Sequence, residues 1–175
     1  MARRLSLLLG LALLVAFAPL TARAQDKFEF FGGYSYMRVD ATPAFNPETT
    51  GFNTNGWEVA GQYKFEDWLG GVVDIDGHYG SPDGVSTSVH NFLFGPQVSW
   101  PTRVSPFAHI LVGGAHVSTG PYADTSFAVA IGGGIDTRLV HGIYWRVIEG
   151  DYLPTRFFGN TQNNVRVSTG IVFKF

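Results

Sequence analysis

From residue 27 onward, apolar and polar side chains alternate with a period of two, in blocks of about ten residues. Helical i, i+3, i+4 spacing is hard to find. In the first block Phe28, Phe30, Tyr34 and Tyr36 share one face, while Glu29, Gly33 and Ser35 share the other with Phe31 and Met37. Trp57, Val59, Tyr63 and Phe65 then oppose Glu58, Ala60, Gln62 and Lys64, and Leu69, Val73, Ile75 and Tyr79 oppose Asp74, Asp76 and His78. Five noisier blocks follow, over 89–100, 106–117, 126–138, 143–153 and 164–175. The last sets Val165, Val167, Ile171, Phe173 and Phe175 against Arg166, Ser168 and Lys174. The pattern predicts about eight strands, each with one apolar face and one polar face.

The seventh block breaks parity, because Arg146 is even-numbered and Glu149 and Asp151 are odd. A β-bulge near Val147 or Ile148 would return all three to one face; the alternative leaves Asp151 at a wet rim. Connections alternate in length. Segments 40–55, 80–87, 118–125 and 154–163 read as loops, and the links near 66–68, 101–103 and 139–142 as short turns. Alternation of this kind fits an up-and-down antiparallel barrel whose two rims meet different environments.

The N-terminus changes the picture. Arg3 and Arg4 precede an apolar run over 5–20, and Ala22-Arg23-Ala24 is a small-x-small cleavage pattern, so residues 1–24 are expected to be a cleaved secretory signal and 25–175 the mature barrel domain. The run is short for a spanning helix and carries Pro19. The 12 basic residues of the chain include Arg3, Arg4 and Arg23, and 14 acids oppose them, which argues against a nucleic-acid partner. With no cysteine there are no disulfides, thiolate metal sites or cysteine nucleophile.

Charge then decides which way the barrel faces. A soluble barrel turns its apolar face inward, whereas a membrane barrel turns it to lipid and encloses its charges. Only 15% of residues are charged and 15% are aromatic. Tyr34, Tyr36, Trp57, Tyr63, Phe65, Trp68, Tyr79, Trp100, Trp145 and Tyr152 lie mainly toward strand ends, where amphipathic rings favour the lipid headgroup level. An eight-stranded antiparallel up-and-down transmembrane β-barrel is expected. It must close, because an open edge in hydrocarbon leaves unpaired backbone groups.

These features, with Phe28-Glu29-Phe30-Phe31-Gly32-Gly33-Tyr34-Ser35-Tyr36 opening the barrel and Val-Phe-Lys-Phe ending at Phe175, resemble the small outer-membrane barrel proteins of the OmpA/OmpX type. The resemblance covers essentially all of the mature chain and implies a place in the bacterial outer membrane, contact with its lipid, and Phe175 as an assembly signal read by the outer-membrane assembly machinery. No periplasmic peptidoglycan-binding domain is expected after the barrel.

Candidate chemistry is sparse. Asp74, Asp76 and His78 on one face could ligate a metal, but an interior polar ladder pairing with Lys64, Arg146, Arg166 or Lys174 is the better reading. Glu29, Glu58, Asp74, Asp76 and Asp136 are expected to face Lys64, Arg146, Arg166 and Lys174 in a network that plugs the lumen. His109 and His116 have opposite parity and are poor co-ligands. Ser126 and His90 suggest acyl transfer only weakly, with no nucleophile elbow. Gly132-Gly133-Gly134 fits strand curvature or a large neighbour better than phosphate binding. The expectation is a non-enzymatic protein without cofactor or metal, with a structural or surface-interaction role through its extracellular loops and an unknown extracellular partner. The alternatives are a narrow solute or ion channel and a lipid-modifying enzyme.

Overall fold

A computed structural model describes residues 27–40 and 51–175. The expected signal segment and most of the first loop lie outside these residues. Eight strands, β1 (Phe28–Val39), β2 (Phe52–Glu66), β3 (Leu69–Gly80), β4 (Thr87–Ser99), β5 (Val104–Thr119), β6 (Tyr122–Val140), β7 (Ile143–Thr155) and β8 (Gln162–Lys174), form one closed barrel in sequence order. Every neighbouring pair is antiparallel, and β1 closes on β8 with Glu29 opposite Lys174 and Arg38 opposite Val165. Closure gives every strand two partners, which is what a low-dielectric surround demands.

Three hairpins and the Phe28–Phe175 backbone pairing define a turn end of the barrel; the other four connections define a loop end. At the loop end 118–125 is not a loop, because β5 runs to Thr119 and β6 starts at Tyr122. Only Gly120 and Pro121 turn the chain, with Gly120 at φ 54°. Polar side chains do not end a ladder when the backbone keeps its partners. Segment 154–163 is likewise shortened by β7 and β8, leaving a 3₁₀ turn at Phe157–Gly159.

Between β6 and β7 the register shifts, so that Ile135 opposes Ile148 while Asp136 opposes Arg146. Val147 is the extra residue of this bulge. Val147 and Ile148 both point outward, at 37% and 51% exposure, and Arg146, Glu149 and Asp151 are all buried inside. One inserted residue thus reconciles the parity conflict, as bulges do when they re-aim side chains.

The exterior is apolar. Phe30, Val73, Ile75, Phe92, Phe94, Ile110, Ile131 and Val167 are exposed around it, with Trp68, Trp100 and Trp145 toward the turn end and Tyr34, Trp57, Tyr79 and Tyr152 toward the loop end. Tyr36 is only partly exposed. Inside the loop end, Met37, Val39, Val89, Val117, Leu153 and Phe157 are buried in the apolar cluster of the interior. The run of three glycines in β6 has a packing cause: a Cβ at Gly133 would strike the Phe107 carbonyl oxygen, and one at Gly132 the Asp151 carboxylate.

Candidate functional site: the charged lumen

All nine residues of the expected polar network point inward, and the structure gathers them around two guanidinium groups and one carboxylate. Arg166, on β8, is fully buried. Its Nε and Nη2 donate to Asp151 Oδ2 at 2.9 and 2.7 Å, and Nη1 donates to Asp74 Oδ1 at 2.9 Å and Asp76 Oδ2 at 2.5 Å. Glu58 Oε2 lies 3.6 Å from Nε and accepts a hydrogen bond from Ser168. One cation therefore faces four carboxylates from β2, β3 and β7. A planar five-donor fork is the side chain suited to this, since it can bond several acceptors in one plane at fixed angles.

Arg146 is the second centre. It bonds Asp136 at 2.9 Å and Glu149 at 2.8 Å, and its guanidinium lies 4.3 Å from the Phe31 ring centroid and 4.2 Å from that of Phe107. Aromatic faces replace part of the solvation lost on burial. Nearer the turn end, Glu29 pairs with Lys64 at 2.6 Å and Lys174 at 3.0 Å. Lys174 also rests 4.3 Å from the Tyr144 ring.

The two buried histidines link these centres to the wall. His109 Nε2 lies 2.8 Å from Asp151 and its Nδ1 3.7 Å from Glu149. Donor atoms of His109, Glu149 and Asp151 lie within 4.8 Å of one another, close enough for a metal ion in principle, but Arg146 and Arg166 already hold both carboxylates. His78 Nδ1 lies 3.1 Å from Asp76 and its Nε2 2.9 Å from Ser35 Oγ, which continues to Ser168 Oγ at 2.8 Å. Ser, His and Asp stand here in the order of a hydrolytic triad, yet Ser35 and His78 have no exposed surface for a substrate to meet. Asp74, Asp76 and His78 do share one inward face, turned to Arg166 and Ser35.

Other candidates separate. His109 is inside, whereas His116 is exposed outside and bonds Thr125 at 2.8 Å. Ser126 shares the inward parity of buried Ala128 and Ala130, and it accepts the Arg156 N–H at 3.2 Å; His90 is outward, its ring 5.5 Å from that of Tyr79. They stand on opposite faces of the wall. Phe175, past β8, is 59% exposed. Sequence alone leaves the facing of Glu149 and Asp151 open and gives His109 no partner. Parity after the bulge was the available signal for the acids; nothing local marks the histidine.

No protein-family profile and no curated protein matches the chain. Among solved structures, the crystal structure of Neisserial surface protein A (NspA) superposes with a TM-score of 0.67 at 13% identity, over 85% of this chain and 97% of that one. The chain has the fold of the small outer-membrane barrels. Ail, the attachment invasion locus protein of Yersinia pestis, superposes with a TM-score of 0.54 at 15% identity, over 83% of this chain and 97% of Ail. At such identities it is architecture that is shared, and the lumen contacts above stand on this chain's own residues.

Proposed function

We propose that this chain is a bacterial outer-membrane protein that spans the bilayer as a closed barrel and works by displaying its loop end, without catalysis or solute conduction. The carrying observation is the combination of an exposed apolar belt around the whole cylinder with charges turned inward and a loop-end interior occupied by the buried side chains of Met37, Val39, Val89, Val117, Leu153 and Phe157. A belt of that kind needs lipid, and an interior so occupied disfavours a channel. The names of NspA and Ail, a surface protein and an attachment invasion locus protein, accord with display at a cell surface. Burial of Ser35 and His78 and the separation of Ser126 from His90 favour a non-enzymatic role. In this reading the assembly machinery takes β8 with its exposed Phe173 and Phe175, and the loops carry the partner contacts.

The absence of native cysteine makes the test clean. Single cysteines replacing Gly84, in the β3–β4 loop, and Asp67, in the β2–β3 turn, are labelled on intact Gram-negative cells with a membrane-impermeant maleimide. Labelling at 84 and protection at 67 until the cells are opened is expected. The reverse would overturn the orientation, and recovery of the chain in the soluble fraction would overturn the membrane assignment. Conductance steps in planar bilayers would favour the channel.

A further inference from the structure

The inward charges are sorted along the barrel axis. Midway lie Glu58, Asp74, Asp76 and Asp151 around Arg166, with Asp136 and Glu149 on Arg146 beside them, an excess of acid. At the turn end the balance reverses. A cavity of about 510 Å³ opens there, and its lining includes Lys64, Arg103, Arg138 and Lys174 against only Glu29 and Asp67. The volume lies within the usual range for small-molecule sites, about 300–1,000 Å³.

The cations of this cavity are under-neutralised. Lys64 and Lys174, whose side chains are 11% and 6% exposed, share the single carboxylate of Glu29. The other acid near Lys174 is Asp136, at 3.8 Å, and Arg146 already holds it. Among the described residues neither Arg103 nor Arg138 has an acidic partner within 4.0 Å. Backbone pairing sets the two side by side, with Arg138 N donating to Arg103 O at 3.0 Å. Two adjacent free guanidinium forks over two half-neutralised ammonium groups offer the donors and charge that a phosphate group takes.

We propose that the turn-end cavity is a binding cup for a phosphate group, held by Arg103 and Arg138 at the rim and by Lys64 and Lys174 below. It is a terminal site and not a stage of conduction, because the next inward layer is acidic and the loop-end interior is occupied by buried apolar side chains. The proposal does not depend on the role assigned to the loops. The phosphate can belong to a lipid headgroup beside the mouth or to a soluble compound that enters it.

The test uses the whole folded barrel in micelles of a maltoside detergent, which carries no phosphate, titrated with inorganic pyrophosphate by calorimetry and ³¹P NMR. Saturable binding is expected, weakened at least tenfold in the double variant Arg103→Gln/Arg138→Gln and unchanged in Arg156→Gln at the loop end. Both rim arginines are exposed, so the double variant should retain the gel mobility of the closed barrel. Repeating the titration with phosphatidylglycerol added to the micelles separates the sources: loss of pyrophosphate binding assigns the cup to a headgroup, and unchanged binding assigns it to a soluble phosphate. No saturable binding in the phosphate-free micelles, or equal binding by the double variant, would overturn the proposal.

Discussion

Replacing Arg166 with Met tests the lumen most directly, because it removes the charge while keeping an unbranched side chain in place. The guanidinium makes five short contacts with Asp74, Asp76 and Asp151 and neighbours Glu58, and all five residues are nearly fully buried. Deleting one partner of a buried ion pair typically costs about 3–5 kcal/mol, since the remaining charge is neither hydrated nor paired. Here four carboxylates lose the one cation they share, so the upper part of that range is expected. With a urea slope of about 2 kcal/mol per M, the unfolding midpoint should fall by about 2 M. The assay is urea unfolding in lipid vesicles, followed by tryptophan fluorescence and by loss of the fast-migrating gel band. Arg156→Met, at an exposed loop position, should move the midpoint little. Adding Asp74→Asn and Asp76→Asn to Arg166→Met should restore part of the loss, because it removes two of the stranded charges. A midpoint for Arg166→Met within about 0.3 M of the parent would show that the carboxylates are hydrated in the folded barrel, and the network would then not be what holds the lumen together.

Three further outcomes follow from the same architecture. Ile110→Arg, on the exposed belt, should cost about 2–4 kcal/mol in vesicle refolding if its level is the bilayer midplane, and a cost near zero would argue that this face meets water. Unheated protein should migrate faster than boiled protein on a gel, since no strand can leave the cylinder without breaking two ladders; equal migration would contradict closure. Gly132→Ala should lower the urea midpoint, because its Cβ would occupy the place of the Asp151 carboxylate and push it from His109 and Arg166, and Gly150→Ala, with open space around its Cβ, should be much milder. Similar midpoints for the two alanine variants would sink that account of the glycine.

The period-two alternation made the strands and their facing legible because the barrel wall divides two unlike media, and every second side chain must suit one of them. Even the bulge left a trace, since Arg146 cannot share a face with Glu149 and Asp151 on a regular strand. Strand ends were less visible. The β5–β6 hairpin continues through Ser118, Thr119 and Tyr122 because its backbone keeps pairing after its side chains turn polar. Which acid meets which cation across the lumen was not legible: Arg166 meets Asp74 over a separation of 92 residues, and which acids it reaches depends on register around the closed cylinder. Without that register His109 is an isolated histidine among alternating apolar residues. The sorting of charge along the axis was hidden for the same reason, because each strand contributes only one or two members to each layer.

That sorting explains how an eight-stranded barrel can hold so many charges and still be closed. Eight strands leave an interior that side chains can fill, so every inward charge must find its counter-charge within reach of its own layer. The turn-end layer borrows solvent from its cavity, which lets Lys64 and Lys174 share one carboxylate. In the middle layer polar wall residues make up the shortfall: Asn91 donates to Asp76 at 2.7 Å, Ser168 to Glu58 at 2.5 Å, and His109 and His78 each lie against an aspartate. Hydrogen bonds to a buried carboxylate replace the water it has given up, so a layer with fewer cations than acids can still be packed. An ion crossing such a barrel would have to leave a cationic mouth, pass an acidic layer, and displace the buried apolar side chains around Phe157. Each step favours a different kind of ion, and the last favours none. On the proposed reading, the interior is built for permanence, and exchange with the surroundings is left to the turn-end cup and to the loops.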